Sequence, residues 1–297
     1  MNKGDKVGIV CCSNGQPQSN REKIHKLEEI LRQLGLVPVF SDFIYERDSA
    51  FSGTAIERAN ALMQFYREED ICAIFDISGG DIANEILPYL DFEVIAASRK
   101  QFWGYSDLTT IINAIYAKTG KTSVLYQAKN LLYSNADDQI RNFGSTLFKG
   151  TNELFRMTYE FVQGDVMQGI VVGGNIRCLL KLAGTPYWPD MQGKVLLLES
   201  YSGRIPQMIT YLSQLEQMRV FEKIGGIILG TFTELDKQDG ATAMIELIRQ
   251  YVGAELAIIK TKEIGHGADA KGIVIGETVD FRKCEYGMTV KANQCTN

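Results

Sequence analysis

The chain has 297 residues, 45% of them hydrophobic and 23% charged, which suffices for one large or two medium globular domains. Its 31 basic and 36 acidic residues leave a net charge of −5, and no basic tract or basic–aromatic interleaving marks a nucleic-acid surface. No apolar run approaches the ~20 residues of a membrane span. The segment Met1–Val10 lacks the apolar core of a signal peptide, so a cytoplasmic protein with no membrane partner is expected.

The first half alternates short apolar runs with longer amphipathic ones. "KVGIVCC" reads as a strand, and the polar loop "SNGQPQSN" follows it. "REKIHKLEEILRQLG" places Ile24, Leu27, Ile30, Leu31 and Leu34 on one helical face and stops at Gly35. "VPVFSD" is a second strand, "SGTAIERANALMQFYREED" a helix, and "ICAIFDIS" a third strand apolar enough to be buried on both faces. "GGDIANEILPYLD" turns into a short helix, "QFWGYS" is a fourth strand, and "DLTTIINAIYAKTG" a helix closed by Gly120. Strand–helix alternation of this kind predicts a parallel, flavodoxin-like sheet with helices on both faces.

The second half starts near Gly164 with a strand, a Gly-Gly-Asn turn, a helix and the strand "KVLLLES". The helix "IPQMITYLSQLEQMRVFEKIGG", the strand "GIILGTF" and the helix "GATAMIELIRQYVG" come next. The end, "GIVIGETVDFRKCEYGMTVKA", alternates with turn signals and predicts a hairpin. These signals imply a second, smaller α/β domain with a β-rich end, and a boundary at about residue 160: 1–160, then 161–297.

The six cysteines form no CxxC pair, and Cys72 and Cys178, set in apolar runs, read as small core residues of a reduced protein. With two histidines and no ligand-spaced cysteines, neither a metal nor a cofactor is expected.

In open parallel sheets, sites form beyond the carboxyl ends of strands. In "GYSD", Ser106 stands at an abrupt strand-to-helix turn, where its hydroxyl would be lifted clear and the Asp107 amide would face the same space near a helix N-terminus. The competing reading makes Ser106 or Asp107 an ordinary helix cap. His266, between two glycines in "GHG", is the only good candidate for a histidine base, since His25 lies in a charged helix. Glu199, directly after an apolar strand, is either a solvated strand end or the carboxylate that orients an imidazole. The "GG" before Asp81 is either a tight turn or a second amide donor, and the "GGN" ending at Asn175 is a weak anion-site signal.

Taken in order, "KGDKVGIV", "ERANAL", "SGGDIANEILPYLDF", "GYSDLTTIINAIYAKTG", "GGNIRCLLKLAGTPYWPDMQGKVLLLE", "IGGIILGTF" and "GHG" resemble the blocks of the LD-carboxypeptidases. These are serine peptidases that include the microcin C immunity proteins. The resemblance implies a catalytic Ser106–Glu199–His266 triad split across an interdomain cleft, with oxyanion amides at Asp107 and, of the two glycines, Gly80. It also implies a homodimer acting on a small peptide or an aminoacyl-nucleotide. Many muropeptide-cleaving members carry an arginine before the "GG" and a tyrosine after it. Here those positions are Ser78 and Asp81, closer to the microcin-immunity branch, and Ser200-Tyr201-Ser202-Gly203-Arg204 replaces the family's further acidic residues after the glutamate. The expected activity is serine-dependent cleavage of an amide at the carboxyl side of a small peptide, a murein tetrapeptide first. The alternatives are hydrolysis of an aminoacyl-nucleotide amide, with Trp188 as a stacking wall or merely a half-buried loop residue, and a non-catalytic binding protein.

Overall fold

A computed structural model describes residues 1–283. Twelve strands form among them: β1 (Lys6–Val10), β2 (Val37–Phe40), β3 (Ile71–Asp76), β4 (Gln101–Gly104), β5 (Ser123–Leu125), β6 (Glu160–Gln163), β7 (Val166–Asn175), β8 (Val195–Ser200), β9 (Gly226–Phe232), β10 (Ala257–Lys260), β11 (Ile273–Ile275) and β12 (Thr278–Arg282). They make two six-stranded sheets, ordered β2-β1-β3-β4-β5-β11 and β12-β7-β8-β9-β10-β6. Strands β1 to β5 are parallel, as are β7 to β10. The fold is therefore two α/β sheets, the first in flavodoxin-like order.

Nine α-helices accompany them: α1 (Arg21–Leu34), α2 (Ala55–Arg67), α3 (Phe92–Ala97), α4 (Thr109–Thr119), α5 (Ala136–Lys149), α6 (Ile176–Leu180), α7 (Ile205–Gln217), α8 (Thr233–Gln238) and α9 (Ala243–Ile248). Local chemistry sets their ends. A capping box between Thr54 and Glu57 starts α2, and left-handed glycines stop α1 at Gly35 and α4 at Gly120. Among the described residues no helix is long and apolar enough to cross a membrane.

In the stretch expected to form a terminal hairpin, the two described strands do not pair with each other. β11 leaves the second half and pairs antiparallel with β5 of the first sheet, while β12 pairs antiparallel with β7 of the second. The two strands thus become edge strands of different sheets. The rest of that alternating stretch, from residue 284, lies outside the described residues.

Helix α4 binds the two sheets together. Ile111, Ile112 and Ile115 share one buried apolar cluster with Val171, Val195, Leu197 and Ile228. The buried Asn113 amide bonds the β7 backbone twice, donating to the Gly173 carbonyl at 2.9 Å and accepting from the Gly173 amide at 2.8 Å. Asn175 N–H donates to Thr109 Oγ1 at 3.0 Å. The "GGN" turn is therefore filled by the start of α4, and the anion-site reading of that turn fails. Its glycines are needed because a Cβ at Gly174 would sit 2.7 Å from Thr109 Oγ1.

Candidate active site

The first sheet delivers Ser106. β4 ends at Gly104, a single helical turn of 3₁₀ type spans Ser106–Leu108, and α4 begins at Thr109. Ser106 sits at φ +58°, a left-handed conformation that a non-glycine residue adopts at a cost and that often marks a functional turn. Neither Ser106 nor Asp107 caps the following helix with its side chain, so the capping reading fails for both.

The second sheet delivers Glu199. It lies within β8, between β7 and β9, and is fully buried. The reading of Glu199 as a solvated strand end is therefore wrong: the parallel strands on both sides cover it. His266 follows β10. A Cβ at the preceding Gly265 would fall 1.7 Å from Thr231 Oγ1, so only glycine lets the chain pass there.

The three side chains meet. His266 Nε2 is 3.2 Å from Ser106 Oγ, and His266 Nδ1 is 2.8 Å from Glu199 Oε2. The second contact has an ion pair's distance without a hydrogen bond's alignment. Glu199 Oε2 also accepts from the Tyr105 hydroxyl at 3.1 Å. Burial, and then the Glu199 charge, push the Tyr105 phenol well above its ordinary range, so it remains a neutral donor. Glu199 Oε1 has no partner among the described residues. The Tyr105 ring meets the imidazole edge-on at 5.0 Å, and the Tyr201 ring lies at 5.1 Å on a tilted plane.

The Gly79–Gly80 turn follows β3. Gly80 has φ +126°, and a Cβ on it would lie 2.2 Å from Asn14 Cγ. Asn14 holds the turn, its backbone N–H donating to the Gly79 carbonyl at 3.2 Å and its side-chain Oδ1 accepting from Asp81 N–H at 3.0 Å. The Asp107 carboxylate is fully buried. It accepts from Ser13 Oγ at 2.6 Å and from Ala83 N–H at 2.8 Å, and pairs with Lys181.

Sequence reasoning missed Tyr105, Ser13 and Lys181. A tyrosine just past a strand reads as core, and nothing in the local pattern joins Asp107 to a lysine 74 residues away. Trp188 is half-buried and packs against two core clusters, as its plainer reading had it. Cys178 is buried as expected, but Cys72 is exposed. It stands near the start of β3 and lines a solvent-open hollow with Arg99 and Gln101.

Two α/β sheets that bring a serine, an imidazole and a buried carboxylate into contact have the layout of a serine-type hydrolase. The chain belongs to the LD-carboxypeptidase family: residues 7–126 match the family's N-terminal domain and residues 168–281 its C-terminal domain. By that membership it is an enzyme of the peptidase class. It is 26% identical over 304 residues to the "probable murein peptide carboxypeptidase" of Bacillus subtilis, covering 98% of this chain and 93% of that one. It is 24% identical over 296 residues to the microcin C7 self-immunity protein MccF of Escherichia coli, covering 89% and 86%. The structure of MccF in complex with aspartyl sulfamoyl adenosine superposes with a TM-score of 0.88 at 21% identity, over 99% of this chain and 97% of that one, which shows the shared fold.

Proposed function

We propose that the protein is a serine carboxypeptidase that hydrolyses the amide to the terminal residue of a small peptide, a murein tetrapeptide being the first substrate class. The observation that carries this reading is the contact of His266 Nε2 with Ser106 Oγ at 3.2 Å. His266 takes the Ser106 proton as Oγ attacks the substrate carbonyl carbon, and the negative charge moves to the carbonyl oxygen. The Asp107 and Gly80 amides bind that oxyanion; an oxyanion donor is worth about 3–4 kcal/mol in other enzymes. His266 then protonates the leaving nitrogen, the C–N bond breaks, and an acyl ester remains on Ser106. Water activated by His266 releases the acid. Glu199 fixes the imidazole tautomer and stabilises its charged form, and Tyr105 holds Glu199.

A second reading is cleavage of an aminoacyl-nucleotide amide. Two observations favour it: the complex described for MccF, and Tyr201, which is 60% exposed while its ring touches His266, as a stacking surface beside the reacting atoms would be. The same steps serve both substrates. Purified protein assayed side by side on murein tetrapeptide and on an aminoacyl sulfamoyl adenosine tests both readings. Release of terminal D-alanine supports the first, release of the amino acid from the nucleotide the second. Turnover of neither, or turnover that persists in Ser106→Ala, overturns the proposal.

A further inference from the structure

The two residues proposed to donate oxyanion amides are held by one short helix from the other sheet. Arg177 lies in α6, and Lys181 is the residue just past its end. Four residues apart, they project on the same side of the chain. Arg177 Nη1 pairs with Asp81 Oδ1, and Arg177 Nη2 donates to the Gly80 carbonyl at 3.1 Å. Lys181 Nζ pairs with Asp107 Oδ1 and donates to the Asp81 carbonyl at 2.7 Å. Every acceptor belongs to the first half of the chain.

These contacts fall where they control amide direction. The Gly80 carbonyl and the Asp81 N–H belong to one peptide plane. Arg177 holds the carbonyl and Asn14 Oδ1 the N–H, so the plane is pinned at both ends. The Gly80 N–H lies in the preceding plane, whose Gly79 carbonyl accepts from the Asn14 backbone N–H at 3.2 Å. Gly80 has no side chain to resist rotation between the two planes, so the Arg177 contact on the following plane is what fixes its dihedrals from the other side. At Asp107, the pairing with Lys181 and the bonds from Ser13 and Ala83 fix the side chain of the residue whose amide is proposed to face the oxyanion.

We propose that Arg177 and Lys181 are positioning residues: a cation pair on the second sheet's helix that orients the Gly80 and Asp107 amides of the first. The base, its carboxylate and the brace of the oxyanion site then all come from one side, and the nucleophile and the donors from the other. Productive docking of the two sheets assembles both halves of the chemistry together. This rests on the amide-hydrolase reading above.

The test is Arg177→Gln, with Lys181→Gln beside it, in the full-length protein. Kinetic constants are measured on whichever amide substrate the wild type turns over, together with Tm. The Arg177–Asp81 pair is partly exposed, and such pairs contribute little to stability. A purely structural Arg177 would therefore leave both Tm and kcat near wild type. The brace predicts an unchanged Tm, a KM within about twofold and a kcat lower by about 10²-fold, the effect of a small misplacement at a reacting centre. Lys181→Gln should fall at least as far; if loss of a buried charge partner unfolds it, Arg177→Gln alone decides. An unchanged kcat in Arg177→Gln overturns the brace, and so does a raised KM with kcat kept, which would make Arg177 a substrate-binding residue. Ser106→Ala in the same assay reports on the underlying reading: hydrolysis that survives it overturns that reading instead.

Discussion

His266 Nε2 lies 3.2 Å from Ser106 Oγ, although 160 residues separate them and their elements belong to different sheets. The contact depends on two local constraints. Ser106 holds a left-handed backbone at φ +58°, and His266 follows a glycine that no other residue could replace without striking Thr231. The second constraint is one of close packing against Thr231; the first is backbone strain at a partly buried serine, usual where a turn aims a reactive group.

Glu199→Gln should keep the fold and lose the rate. Glutamine retains an acceptor for Tyr105 but lacks the charge that favours the protonated imidazole and can impose the wrong tautomer. In the best-known serine triad the equivalent change costs about 10⁴ in kcat. Kinetic constants with circular dichroism and Tm check this; a kcat within tenfold of wild type would show that Glu199 is a packing residue.

Tyr105→Phe should lower kcat about tenfold with KM unchanged, the rate equivalent of ~1.4 kcal/mol for one hydrogen bond to a charged group. The phenol titrates well above its usual range, so it donates at every pH below that range and loses the proton only as pH rises beyond it. The wild-type profile of kcat/KM should accordingly show no decline up to about pH 10 that Tyr105→Phe abolishes. An alkaline limb present in the wild type and absent from the variant would contradict the assignment.

The alternation of strand and helix, and the residues at strand ends, were legible because period and turn chemistry are local. The interface was not. Asp107 looks like a helix cap in sequence, yet its carboxylate points to Ser13, Ala83 and Lys181, because tertiary partners outcompete the helix's own amides. β11 and β12 have the spacing of a hairpin, but β5 and β7 offer unpaired edges, and each takes one strand. Cys72 sits in an apolar run, and its exposure is set by the hollow it faces, which sequence does not encode locally.

The two glycines of the turn should respond differently. Gly80→Ala places a methyl 2.2 Å from Asn14 Cγ at φ +126°, so the turn must move and kcat should fall by about 10²-fold. At Gly79 an added Cβ meets nothing within 4 Å, and Gly79→Ala should cost less than about threefold. Equal losses in the two variants would remove Gly80 as the specific donor.

Thiol chemistry should follow burial. The Cys11 and Cys12 thiols are pushed well up, first by burial and then by the Asp76 charge, and burial also raises Cys178. Iodoacetamide on the native protein at about pH 8 should therefore modify Cys72 and spare Cys11, Cys12 and Cys178. Peptide mass mapping reads the result, and early modification of Cys11 or Cys12 would contradict the buried placement of β1's end.

The central claim is that Ser106 is the nucleophile. A fluorophosphonate reports on it directly, because only a serine activated by a neighbouring base displaces the fluoride at a useful rate. Intact-protein and peptide mass spectrometry after treatment should show one adduct, on the peptide carrying Ser106, absent from Ser106→Ala and strongly slowed in His266→Ala. A protein that stays unlabelled, or that carries the adduct on another serine, would contradict the account.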